Sequence, residues 1–138
     1  MAGSIRVACA SNGDGMLDGH FGSCEQFLIY EVTPAAVRQI EARGTDATEL
    51  SEDKNKARAA LIGDCQVLFV QSIGGPAAAK VVRAGVHPVK VSKPAPALET
   101  LLRLQSALAN PPPWLARVMG VEAASLTPFR ELTEVEDD

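Results

Sequence analysis

An imidazole and a thiol stand four residues apart in Asp18-Gly19-His20-Phe21-Gly22-Ser23-Cys24, a glycine-lined stretch that follows the first apolar run of the chain. His and Cys are side chains that iron–sulfur species and borderline metals favour, so His20 and Cys24 offer a metal two ligands. Gly19 and Gly22 let backbone come close to a bulky guest, and Ser23 lies in the same turn. A second stretch, Ile73-Gly74-Gly75-Pro76, opens a helix, and the unpaired N–H groups of a helix start at Gly74 and Gly75 suit an anion. It lacks the Lys-Ser/Thr of a P-loop and the spacing of a dinucleotide fingerprint, so nucleotide is not indicated. Lys90, Lys93 and Arg83 would add positive charge there.

Each feature has a plainer counterpart. A histidine such as His20 also serves to tie its own loop, Cys24 at a strand start fits a small buried hydrophobe, and Gly74-Gly75 fits an ordinary tight connection. Cys9 in the first strand and Cys65 after a helix fit core packing better than ligation. Catalytic readings find no support: two-metal phosphodiester cleavage needs carboxylates on the central strands, where this chain has Arg6 and Cys9. His20 with Cys24 lacks an orienting third group for thiol catalysis. His87, beside Pro88, reads as structural. No catalytic residue is assigned, and a binding protein is expected, not an enzyme.

With 138 residues, 46% of them hydrophobic, the chain has enough material for one real core. Residues 1–120 form the expected domain, and 121–138 an acidic tail expected to be mobile. A net charge of -4 argues against nucleic acid as a partner, since that binding depends on Lys and Arg against phosphate. No signal peptide precedes Ile5 and apolar runs such as Val67 to Val70 are too short to span a bilayer, so no membrane role and a cytoplasmic location are expected. The cysteines, 3 in number, read as thiols, too few for a four-thiolate cluster site in one chain.

The site needs elements to position it. Ile5, Val7 and Cys9 alternate with Arg6 and Ala8 in a first strand, followed by the loop Ser11 to Ser23. Phe27 to Val32 and Ala36 to Arg43 form a hairpin across Thr33-Pro34-Ala35, the charged second member suiting an edge. Ser51 caps a helix with Ala57, Ala60 and Leu61 as its apolar stripe and Gly63 as its stop. Val67 to Val70 is a buried strand, an Ala-rich helix runs from Gly74-Gly75-Pro76 to Gly85, and Val86 to Val91 is the last strand. Leu98, Leu101, Leu102 and Leu108 mark one face of a final long helix, and Pro111-Pro112-Pro113 leads into Trp114, Leu115, Val118 and Met119, which cover the core or meet a partner. This βββαβαβα order is that of a ribonuclease-H-like α/β sandwich with a mixed five-stranded sheet and helices packed on it. In that arrangement the loop of His20, the loop Gln71 to Gly75 and the turn Ser92-Lys93 converge at the carboxyl ends of parallel strands, where open α/β sheets bind ligands.

Asp18 to Cys24, Phe27 to Val32, Ile73-Gly74-Gly75, Gly85 to Val91 and Asn110-Pro111-Pro112-Pro113-Trp114-Leu115 together resemble the dinitrogenase iron–molybdenum cofactor biosynthesis family of the NifX/NafY type, also found as the carboxyl-terminal domain of the NifB cofactor-synthesis enzyme. The resemblance covers about Ile5 to Gly120. It implies a carrier or chaperone for the iron–molybdenum cofactor or its iron–sulfur precursor, with His20 as cluster ligand. The implied partners are the assembly scaffold, the cofactor-synthesis enzyme and apo-dinitrogenase. A chaperone recognising apo-dinitrogenase mainly through the Trp114 segment is the second reading, and a small hydrolase the third. The amino-terminal region of longer members is not seen, so a minimal carrier or the core of a longer member is expected.

Overall fold

The structure, a computed structural model, describes residues 4–120; the tail expected to be mobile lies outside them. The strand β1 (Ile5–Ser11) runs at the centre of a five-stranded sheet. A two-residue strand β2 (Met16–Leu17) interrupts the loop that follows it. β3 (Gln26–Val32) and β4 (Val37–Gly44) form the expected hairpin, antiparallel to each other, with β3 antiparallel to β1. A short 3-10 helix, Asp46–Leu50, which sequence reasoning did not anticipate, leads to α1 (Lys54–Leu61). β5 (Val67–Val70), α2 (Gly75–Arg83) and β6 (His87–Lys90) make the parallel half, β5 pairing with β1 and β6 with β5. β7 (Ala95–Pro96) pairs with β2, then α3 (Ala97–Ala107) and α4 (Pro113–Met119) complete the described chain. The main sheet therefore reads β4-β3-β1-β5-β6, a mixed sheet with helices on both faces.

Two cores follow from the side-chain alternation of β1. Ile5, Val7 and Cys9 face Leu101, Leu104, Leu108 and Leu115 of the α3–α4 layer, and Ala8 and Ala10 face Ala59, Ile62, Ala77 and Val81 of the α1–α2 layer. β4, with Arg38 and Glu41 exposed, lies at the sheet edge as its charge suggests. No helix among the described residues is long and apolar enough to cross a membrane.

Several sequence expectations need correction. Asp53, not Ser51, caps α1, its carboxylate accepting from the Lys56 N–H at 3.0 Å. Ser51 is instead bonded to the backbone of Asp53 just before the helix. The buried face of α1 is Arg58 and Ala59, while Ala60 is exposed. On α3 the inward stripe is Ala97, Leu101, Leu104 and Leu108, and Leu98 and Leu102 are about half exposed at 48% and 47%. Leu98 and Leu102 fall about 100° and 140° round the helix from Ala97, beyond the strip that meets the sheet. Leu115 is fully buried and Trp114 stacks on His87 with ring centroids 4.8 Å apart, so α4 covers the core.

Candidate functional site

Past Ser11 the chain loops out and returns over the end of β1. The Gly19 N–H donates to Ala10 O at 3.1 Å, and Gly19 O accepts from the Gln71 N–H at 2.8 Å. His20 and Ser72 form a single parallel bridge, extended by the Phe21 N–H donating to Ser72 O at 2.9 Å. The loop thus adds itself between the extended ends of β1 and β5. Glycine is required at position 19 for packing and not for a guest. A Cβ there would stand 2.6 Å from Cys24 Cβ and 2.9 Å from the Ala10 carbonyl carbon. Room for a guest exists at Gly22, Gly74 and Gly75, where a Cβ meets nothing within 4 Å.

His20 is exposed, and its Nδ1 lies 2.5 Å from Ser72 Oγ. That bond holds the exposed ring through Nδ1, the way a metal-binding imidazole is oriented by its other nitrogen, so Nε2 is the nitrogen that could take a ligand. The carbonyl of His20 accepts from the N–H groups of Ser23 and Cys24 at 3.1 and 2.9 Å, closing a compact turn. Gly22 and Ser23 are exposed at its outer side. Ser72 stands three residues before Gly75, the first residue of α2. The first-turn N–H groups of Gly75 and Ala77 have no carbonyl one turn earlier. His20, Gly22, Ser23, Gly74 and Gly75 accordingly share one rim of the sheet. Gln71 ties in the third segment by donating from Nε2 to Val91 O at 2.9 Å, which places exposed Lys93 on the same side. Arg83 does not join them, since it ends α2 and lines a groove with Asp53, Lys56 and Lys80 between the two helices.

Of its two readings, Cys24 takes the place of a small buried hydrophobe. Its residue is 0% exposed, its thiol packs beneath the loop, and burial pushes the thiol pKa up against the pull of the Arg58 guanidinium 3.5 Å away. The turn that exposes His20 rotates Cys24 inward, so spacing alone misled: the two residues sit on opposite sides of one loop. Cys9 and Cys65 are also buried, Cys65 pushed up to about 12 and Cys9 raised further, mainly by burial in both cases. Among the described residues no three His, Cys, Asp or Glu side chains group to hold a metal. The rim therefore offers one imidazole plus backbone donors.

Arg58 is the residue that sequence reasoning missed. It is 1% exposed and donates to Phe21 O at 2.8 Å, to Cys24 O at 3.1 Å and to Glu49 at 3.0 Å. Thr45 adds bonds from Oγ1 to the carbonyls of Cys24 and Glu25 at 2.8 and 3.0 Å. Nothing in the run Lys54-Asn55-Lys56-Ala57-Arg58 singles out its last cation as the one that turns inward.

Comparisons with known proteins span most of the chain. The family model described as dinitrogenase iron-molybdenum cofactor matches residues 3–107. Protein NifY of Azotobacter vinelandii is 52% identical over 120 residues, covering 86% of this chain and 50% of that protein. Protein NifX of Rhodobacter capsulatus is 37% identical over 124 residues, covering 84% of this chain and 78% of that one. The chain thus spans half the length of the first relative and more of the second. Among solved structures, the apo form of the orange protein from Desulfovibrio gigas superposes with a TM-score of 0.63 at 18% identity, covering 75% of this chain and 88% of its own. A likeness at that identity concerns the fold alone.

Proposed function

Because the chain belongs to the dinitrogenase iron–molybdenum cofactor family, whose NifY and NifX relatives share its sequence, we propose that it works in cofactor biosynthesis as a carrier. It holds the iron–molybdenum cofactor or its iron–sulfur precursor and passes it from the assembly scaffold and cofactor-synthesis enzyme to apo-dinitrogenase. The strand order β4-β3-β1-β5-β6 is read here as the ribonuclease-H-like arrangement with its binding edge at the carboxyl ends of β1, β5 and β6. The domain is taken as residues 1–120, followed by the acidic tail.

The observation that carries this reading is His20: exposed, oriented by Ser72 through Nδ1, and backed by the open start of α2. An anionic cluster gains a nitrogen donor from His20, and the N–H groups of Gly74 and Gly75 meet its sulfides or carboxylate. All the cysteines lie buried, which leaves no thiolate cage to retain the cargo. One protein ligand with backbone support suits a protein that must let go. Trp114 stacks on His87, and its helix packs on the core, so its segment does not favour the reading as a chaperone for apo-dinitrogenase.

The test is anaerobic mixing of wild type and His20→Ala with isolated cofactor and, separately, with precursor, followed by iron-edge absorption. Loss of an imidazole ligand is expected to weaken binding by about tenfold or more and to change the edge spectrum. Equal affinities and identical spectra for the two proteins would remove His20 from the coordination sphere.

A further inference from the structure

We infer that Arg58 positions His20: its buried guanidinium, by bonding the carbonyls of Phe21 and Cys24, holds the turn in the one pose that brings the imidazole to Ser72 and leaves Nε2 outward. The effect on cargo rests on the carrier reading above, whereas the effect on ring pose does not.

Burying a guanidinium is costly unless its donors are met, and hydrocarbon of similar volume usually packs as well in such a place. Arg58 projects from the same face of α1 as Ala59, with Ile62 just beyond, where a leucine or methionine would fill the space. What hydrocarbon would not do is reach two carbonyls 34 and 37 residues away in sequence. Cys24 O has a second donor in Thr45 Oγ1 at 2.8 Å, but among the described residues Phe21 O has otherwise only the Cys24 thiol at 3.9 Å. Phe21 is therefore pinned on both sides. Its N–H donates to Ser72 O on the sheet, its C=O accepts from Arg58 on the helix, and its ring is buried at 1% exposure. His20 directly precedes this fixed peptide, and its own carbonyl is tied to Ser23 and Cys24. Backbone freedom at His20 is thus removed from both directions, which lets one short bond to Ser72 decide where the ring points. Glu49, at the surface, supplies the counter-charge.

The test compares wild type, Arg58→Lys and Arg58→Met, the last keeping an unbranched apolar stem without donors. In cargo-free protein, two-bond proton–nitrogen NMR correlations of the histidine rings report the tautomer of His20, identified by the loss of its signals in His20→Ala. Wild type is expected to show one tautomer, Arg58→Met an averaged ring like that of a free histidine, and Arg58→Lys an intermediate return toward wild type. Isolated iron–molybdenum cofactor added anaerobically is expected to bind Arg58→Met about tenfold more weakly, the usual size of such an indirect effect on a ligand. A merely structural role would lower the melting temperature and leave the tautomer alone. A cooperatively folded Arg58→Met with the wild-type ring pattern overturns the proposal. Should that variant not fold, Arg58→Lys decides: an unchanged ring pattern overturns it and a shifted one supports it. If wild type itself binds no cofactor, the carrier reading fails, and the ring pattern still judges Arg58.

Discussion

At the amino end of β5, Asp64 accepts from Arg6 at 2.9 Å and from Arg43 at 2.6 Å, Arg43 also donates to Leu61 O, and Gln66 Oε1 takes the Arg6 N–H. At the carboxyl end, the exposed His20 ring has Ser72 as its partner, and the first turn of α2 presents glycine and proline to the surface. One end of the parallel strands spends its polar groups on one another; the other fixes its backbone from within and leaves side-chain and N–H donors for something else. The lesson is that a candidate binding edge differs from the opposite end less in how many polar residues it has than in how few of them bond to one another.

The largest effect expected is at Gly19, where close packing and not guest room explains the residue. Gly19→Ala should lower stability by about 2–3 kcal/mol, because the new methyl meets Cys24 Cβ and the backbone of Ala10. Gly22→Ala, in open space on the same loop, should change it by less than about 0.5 kcal/mol. Denaturant melts of the two variants check this, and equal losses would erase the distinction drawn between the glycines.

A smaller loss, about 1 kcal/mol, is expected for Asp64→Asn at neutral pH, since the carboxylate is 44% exposed and part of its gain is screened. Its pH dependence has a definite sign. The Arg43 hydrogen bonds, ahead of the Arg6 bond, hold the folded carboxyl well below its ordinary value of 3.8. The unfolded chain therefore takes up the proton first as pH falls. The stabilisation is full above 3.8 and is lost as pH drops from there toward the folded value. Melts of wild type and Asp64→Asn should differ at pH 7 and draw progressively together as pH falls below 3.8; a gap that does not narrow there would mean the clamp is not ionic.

The smallest effect concerns Cys24. Buried and raised in pKa, its thiol should stay unlabelled by a maleimide at neutral pH until the protein unfolds, and Cys24→Ala should bind cofactor as wild type does. Rapid labelling of the folded protein, or a loss matching that of His20→Ala, would mean that the loop turns its thiol outward to meet cargo.

Much of this was legible beforehand where one residue type meets one local rule. The continuous apolar run Val67 to Val70 marked a strand covered on both faces, the charges of β4 marked an edge, and Gly74-Gly75-Pro76 marked a helix start. Errors came where facing depends on a neighbour. Leu98 and Leu102 looked like core because leucine recurs at helical spacing, yet α3 meets the sheet along a narrower strip. For Cys24 the sequence left two readings open, ligand and small buried hydrophobe, because four residues' distance from His20 says nothing about which side of a turn a side chain takes; the structure buries it.

The sequence by itself determined the order of the main strands and helices and the glycine-rich loop that carries an imidazole, since periodicity and turn chemistry act within a few residues. Tertiary structure alone decided that His20 faces out while Cys24 faces in, that Gly19 is a packing residue, and that Arg58 reaches beneath the loop. The last depends on groups brought together from distant parts of the chain, with Arg58 and Phe21 37 residues apart, and the packing at Gly19 on how the loop folds back over Ala10; no local pattern encodes either meeting.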